Sequence, residues 1–113
     1  MGWGTTIKIG TFNRHESCPA DNYILDHIED MFDFKAMYEA AAKYFSMFAG
    51  DNSWRHPDDW VHFIFYPSGL TQGTIAVLDA FNTVLGETVW PLSVHIWNRE
   101  TEQYEVQTWG ANL

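Results

Sequence analysis

Apolar and polar residues alternate or cluster along the chain in a way that predicts four strands. Residues 5–12 alternate in the stretch TTIKIGTF, which is typical of a half-buried strand. Residues 60–66 are apolar on both faces, as in a central strand that is covered on each side. Residues 92–98 alternate again, and the polar turn RETEQ leads to residues 104–109, so the pattern predicts a C-terminal hairpin.

Two other stretches show the spacing of three to four residues that is typical of helices. Residues 22–49 carry two apolar stripes, of which the first consists of Ile24, Leu25, Ile28, Met31 and Phe32. The stripes fit one long helix or two, and two packed helices or a kinked one are favoured because a single rod of this length exceeds the usual range. Asp33 would cap the second helix, and Gly50 would end it. Residues 71–85 predict a further helix that Gly86 closes.

The predicted element order is β-α-α-β-α-β-β, a small single-domain α/β layered fold with a mixed sheet and a C-terminal hairpin. Residues 1–113 form one domain, because no linker or change in composition divides them. A chain of 113 residues buries roughly two-thirds of its unfolded surface, and 17% of its residues are aromatic, so the core needs no disulfide. The strand order within the sheet stays open.

The net charge of the chain limits the kinds of molecule that it can bind. The chain has 15 Asp and Glu against 6 Lys and Arg, which gives a net charge of -9. Such a chain is repelled by phosphate backbones and anionic membranes, which argues against direct nucleic-acid or membrane binding and leaves a basic protein as partner. The single cysteine, Cys18, permits no intrachain disulfide, and there is neither a signal-peptide layout nor a run of about 18 apolar residues, so we expect a cytoplasmic protein.

Four carboxylates form the first candidate site. Asp26, Glu29, Asp30 and Asp33 stand at i, i+3, i+4 and i+7, so on a helix they would share one face. A ridge of carboxylates can imitate a phosphate backbone, occupy a basic groove and steer association with a cationic partner. The alternative is a solvated face that keeps the protein soluble.

The strand–loop–helix turn at residues 67–73 is the second candidate. Backbone N–H groups at a helix N-terminus attract anions, although the loop lacks the lysine of a P-loop and the GxGxxG spacing. A plain helix cap with a glycine at positive φ explains the same residues. The unit resembles the first strand–loop–helix of CRISPR-associated Rossmann-fold domains that sense cyclic oligonucleotides, which implies a nucleotide-type ligand. The ligand set would comprise Ser68, Gly69, Thr71, Gly73, His95 and Arg99.

The sequence gives weaker support to a metal site or a catalytic site than to the two candidate binding sites. The stretch HPDDWVH offers four metal-competent side chains, at a spacing that matches no recognised zinc pattern: His56, Asp58, Asp59 and His62. Turn chemistry explains the loop adequately, so we expect no metal and no cofactor. Cys18 with His15 or His27 would make a thiolate pair, but neither GxSxG nor HExxH occurs, so we expect no enzymatic activity and rank a small metal-dependent hydrolase last.

The leading hypothesis is a non-enzymatic acidic interaction protein that binds and inhibits or modulates a basic, nucleic-acid-handling partner. In its profile, small, acidic, cysteine-poor and aromatic-rich, the chain resembles accessory proteins of bacteriophages and mobile elements, including anti-CRISPR and other anti-defence inhibitors. The alternative is a module that senses or sequesters a nucleotide-type anion at residues 67–73. The C-terminal hairpin also leaves a sheet edge that suits pairing into a homo-oligomer.

Overall fold

A computed structural model describes residues 4–12, 18–30, 32–50, 60–67, 71–86 and 90–109. Within these ranges the elements are, in chain order, β1 (Gly4–Gly10), β2 (Asn22–Tyr23), α1 (Phe34–Gly50), β3 (Trp60–Tyr66), α2 (Thr71–Leu85), β4 (Leu92–Asn98) and β5 (Gln103–Trp109). The protein is a compact α/β fold with a mixed sheet and a C-terminal hairpin, as the sequence predicts. The bounds of β3, α2 and β4 coincide with the predicted ones.

The described strands form one five-stranded sheet in the order β2-β1-β3-β4-β5. The first four strands run parallel, and β5 returns antiparallel to β4 through the hairpin. Successive crossovers lead from β1 to β3 and from β3 to β4, always in the same direction across the sheet, which places α1 and α2 on the same face. We call the other side of the sheet the helix-free face, since neither of these two helices covers it.

The core lies between the sheet and the two helices, and Phe63 of β3 is at its centre. The Phe63 side chain is fully buried, and three phenylalanine rings meet it edge-on, with ring centroids 5.2 to 5.8 Å away: Phe45 and Phe48 of α1 and Phe81 of α2. Such edge-to-face pairs add about 0.5–1.5 kcal/mol each to the free energy of burial. The same side chains therefore hold both helices against the central strand.

The segment before α1 differs from the prediction, because the first of the two helices favoured for residues 22–49 is not formed at residues 22–30 and 32–33, whereas the second begins at Phe34. The backbone instead continues along the edge of β1, where the amides of Ile24 and Leu25 donate to the carbonyls of Gly10 and Thr11 at 3.0 Å. Ile24 and Leu25 are buried as predicted, but in the turn that follows β2 rather than in a helix. These hydrogen bonds to β1 outweigh the weak helical preference of a stretch rich in Asp and Asn.

The start of α1 confirms the predicted cap. The Asp33 carbonyl accepts the first helical hydrogen bond, from the Met37 amide at 3.2 Å, and the Asp33 carboxylate accepts from the Ala36 amide at 3.0 Å. Neither helix in the described part of the chain is long and apolar enough to cross a membrane.

Candidate functional site

The acidic segment, defined as residues 21–33, carries the carboxylates that the sequence singled out. It contains no Lys or Arg. The side chains of Asp21, Asp26, Glu29, Asp30 and Asp33 are all exposed. The nearest lysine along the chain, Lys35, lies beside Glu39 of its own helix, with Nζ 3.8 Å from Oε1. The four predicted residues therefore share one exposed segment, although not one helix face.

Backbone hydrogen bonds and the packing of one ring hold the first residues of the acidic segment against β1. The Asp21 amide donates to the Lys8 carbonyl at 2.9 Å, and the hydrogen bonds of Ile24 and Leu25 continue this pairing. Gly10 makes room for the ring of Tyr23, because a Cβ atom at Gly10 would lie 2.9 Å from Tyr23 Cδ1. The segment is thus attached to the sheet at one end and to the cap of α1 at the other.

The last residues of the acidic segment form an ordered turn that exposes an aromatic ring. The Asp33 amide donates to the Asp30 carbonyl at 3.1 Å, and the Asp30 carboxylate accepts from the Phe32 amide at 2.9 Å. The Phe34 amide donates to the Phe32 carbonyl at 3.1 Å. Phe32 is 82% exposed, whereas the sequence pattern had assigned it to a buried stripe. An aromatic ring therefore stands in solvent between two carboxylates.

The candidates for a nucleotide-type ligand do not lie on one side of the sheet. Ser68 and Gly69 lie outside the described residues, and Thr71 is the first residue of α2. Gly73 is buried, and a Cβ atom there would lie 3.1 Å from Phe12 Cε2, so this glycine allows α2 to pack closely. His95 lies on the helix-free face, and Arg99 is exposed in the hairpin turn. Binding of a nucleotide-type anion stays a prediction.

Of the four metal candidates, only His62 lies among the described residues. His56, Asp58 and Asp59 lie outside the described residues, as does His15, while Cys18 and His27 are described. His62 Nε2 lies 2.7 Å from Ser93 Oγ, so its imidazole has a hydrogen-bond partner on β4. No group of three metal-ligating side chains occurs within the ranges that the structure describes.

The helix-free face carries a row of rings that the sequence reading did not group together. The His95 imidazole lies against Tyr66, Tyr66 against Tyr104, and Tyr104 against Trp97, with centroids 5.1 to 5.2 Å apart. Burial, together with the nearby Cys18 thiol, raises the pKa of Tyr104 to about 12. The alternation along β4 predicts that His95 and Trp97 share a face, whereas the contacts with Tyr66 and Tyr104 depend on the strand order and the approach of Cys18 depends on the loop before β2.

Neutral groups dominate this face at physiological pH. Burial lowers the pKa of both His62 and His95, so each imidazole is held in its neutral form. The Tyr66 pKa is raised, chiefly by burial, and its hydroxyl stays protonated. The rings and imidazoles of the helix-free face are thus uncharged, in contrast to the carboxylates of the acidic segment.

Comparison with known proteins adds no identification. The chain matches no protein-family model, no curated protein and no solved structure.

Proposed function

We propose that this protein is a non-enzymatic interaction protein whose acidic segment binds a basic surface of a nucleic-acid-handling partner and thereby inhibits or modulates it. The observation that carries the proposal is Phe32, which is 82% exposed and stands between Asp30 and Asp33 near the end of the acidic segment. An aromatic side chain in this setting supplies apolar contact area, and the carboxylates around it supply attraction to a cationic surface.

Phe32 has the properties of a binding hot spot. Complete burial of such a side chain is worth about 1.5–3 kcal/mol, and aromatic residues at the centre of an interface commonly dominate its affinity. The backbone that carries the ring is also ordered before binding, since the Asp30 carboxylate accepts from the Phe32 amide and the Asp33 amide donates to the Asp30 carbonyl. A preordered turn loses little conformational entropy when a partner binds.

The carboxylates determine which partners suit the segment. Five exposed acidic side chains with no Lys or Arg among them favour a surface rich in Lys and Arg, and they increase the rate at which it is encountered. Grooves that bind nucleic acid have this composition, because they neutralise phosphates. The segment would then compete with nucleic acid for the same groove, which accounts for inhibition without any chemical step.

Neutralising the acidic segment without disturbing its hydrogen bonds tests this proposal. The variant Asp26→Asn/Glu29→Gln/Asp30→Asn/Asp33→Asn removes four charges and keeps an oxygen acceptor at each position, including the cap and the turn. We expect the unmodified chain to capture a basic nucleic-acid-binding protein from its native host. The variant should bind that partner at least about tenfold more weakly. Added nucleic acid should displace the partner.

A matched variant controls for net charge. Asp79→Asn/Glu100→Gln/Glu102→Gln/Glu105→Gln also removes four negative charges, all from exposed side chains outside the acidic segment. We expect it to bind the partner as the unmodified chain does. Equal loss in both variants would show that only overall charge matters, and equal binding by all three proteins would contradict the proposal.

A further inference from the structure

Strand β5 forms one edge of the sheet that the described strands make. Among the described strands it is the last in the sheet order, and seven consecutive residue pairs join it to β4 without a bulge. Its sequence, QYEVQTW, contains no Lys and no Pro, which are the residues that commonly prevent edge strands from pairing. Residues 103 and 105–107 are exposed, and Val106 at its midpoint is 57% exposed. Such an edge can accept another strand.

We propose that β5 pairs antiparallel with β5 of a second copy of this chain, about a two-fold axis at Val106, so that the two sheets become one. A two-fold axis between antiparallel strands places one residue opposite its own copy, and an axis at Val106 pairs the whole of Gln103–Trp109. The axis is perpendicular to the sheet, so the helices of both copies lie on the same side.

Charge favours this register. With Val106 opposite Val106 of the partner subunit, Glu105 lies opposite Gln107 of the partner subunit, and no like charges meet. An axis at Glu105 would place two carboxylates directly opposite each other, which destabilises a strand pair. The central register therefore gives the most residue pairs and avoids the repulsion.

Charge also favours a second copy at this edge over any other part of the molecule. Two chains of net charge -9 repel each other, and the acidic segment contains β2, at the opposite end of the strand order. β5 carries Glu105 as its single charged residue. Among the described side chains of β5, Val106 is large, apolar and exposed, and pairing would remove part of its surface from water.

Sedimentation equilibrium over a range of concentrations tests the pairing. We expect the unmodified chain to approach twice its 13.1 kDa mass, and Val106→Lys to remain at 13.1 kDa, because the axis would bring two ammonium groups together. Ile75→Lys is the matched control, since Ile75 is 50% exposed on α2, and it should associate like the unmodified chain. Raising the salt concentration should strengthen the dimer, because it screens the repulsion between two acidic chains.

Disulfide formation tests the register without relying on a charge. In a Cys18→Ser background, Val106→Cys should cross-link two copies under mild oxidation, because directly opposite residues have Cβ atoms about 4.5–5.5 Å apart. Gln107→Cys should not, because its copy would lie on the diagonal, about 7–8 Å away. A chain that stays monomeric at every concentration, as expected if β5 instead accepts a segment of another protein, would overturn the proposal. So would a dimer that survives Val106→Lys, or faster cross-linking at position 107.

Discussion

The two ends of the sheet are built differently. At one end β2 pairs with β1 through two residues, Asn22 and Tyr23, and both belong to the acidic segment. At the other end β5 pairs with β4 through seven residues and carries one charged side chain, Glu105. A short edge strand followed by carboxylates discourages further strand pairing, whereas a long and nearly uncharged one permits it.

This difference indicates that the two ends suit different partners. The β2 end offers charge and one exposed aromatic ring, which favours a basic surface and makes binding sensitive to salt. The β5 end offers backbone hydrogen bonds and exposed apolar side chains, which favours another strand. Both ends are joined through the same central strand, β3. Single variants can therefore be chosen to destabilise both ends together, one end alone, or the helix-free face between them.

The largest effect should come from the shared core. Phe63→Ala removes a fully buried ring that contacts Phe45, Phe48 and Phe81, and we expect the free energy of unfolding to fall by about 3–5 kcal/mol. Urea denaturation monitored by tryptophan fluorescence measures the change. Because Phe63 joins both helices to the sheet, partner binding and self-association should weaken together; selective loss of one would contradict a common core.

A smaller effect, confined to the β2 end, should follow Gly10→Val. The new side chain would meet the Tyr23 ring, where even a Cβ atom lies 2.9 Å from Cδ1, and we expect a loss of about 1–3 kcal/mol in unfolding free energy. The acidic segment should lose its attachment to β1, so its backbone amides should exchange with solvent faster. Unchanged exchange at residues 21–25 would show that Gly10 does not position the segment.

Removing the N-terminal cap of α1 should lower the unfolding free energy by less than Gly10→Val does. Asp33→Ala deletes the carboxylate that accepts the Ala36 amide, and we expect about 1 kcal/mol of destabilisation in thermal or urea unfolding. Asp33→Asn keeps an acceptor in the same place and should cost only a few tenths of a kcal/mol. If the two variants are equally destabilised, the negative charge rather than the hydrogen bond stabilises the helix start.

The smallest expected change in unfolding free energy is its dependence on pH, which should come from two imidazoles on the helix-free face. Burial lowers the pKa of His62 and His95 below the ordinary value of 6.5, so below that pH the unfolded chain binds protons more readily than the folded one. The unfolding free energy should therefore be largest above pH 6.5 and fall as the pH is lowered towards about 5, before the carboxylates begin to titrate. The double variant His62→Gln/His95→Gln should flatten this slope; an unchanged slope would exclude these imidazoles as its source.

Most of the fold could be predicted because local pattern and tertiary environment agree. The bounds of β3, α2 and β4 follow from hydrophobic spacing, and packing on the core preserves those spacings. The exception is the stretch from Asn22 to Asp33, where Ile24 and Leu25 are spaced as on a helix. Their backbone amides instead bond to carbonyls along the edge of β1, and their side chains are buried in that position. That pairing joins residues distant in sequence, so a local window contains no sign of it.

The candidate site was predictable in its charge but not in its shape. The run of carboxylates is visible in the sequence, and their exposure follows from the cost of burying a charge. The exposure of Phe32 could not be anticipated, because an apolar residue spaced as on a helix is ordinarily assigned to the core. The ring is exposed in a segment where the Asp30 carboxylate and the Asp33 amide form local hydrogen bonds instead of helical ones, and the sequence pattern gives no sign of these bonds.

The affinity of the captured partner for Phe32→Ala tests the central claim most directly. Ile75→Ala is the matched control, because it removes an apolar side chain that is 50% exposed on α2 and lies outside the acidic segment. We predict that Phe32→Ala weakens binding in titration calorimetry by about tenfold or more, with no loss of stability, and that Ile75→Ala leaves the affinity unchanged. Equal affinities for Phe32→Ala and the unmodified chain would contradict the assignment of the acidic segment as the binding surface.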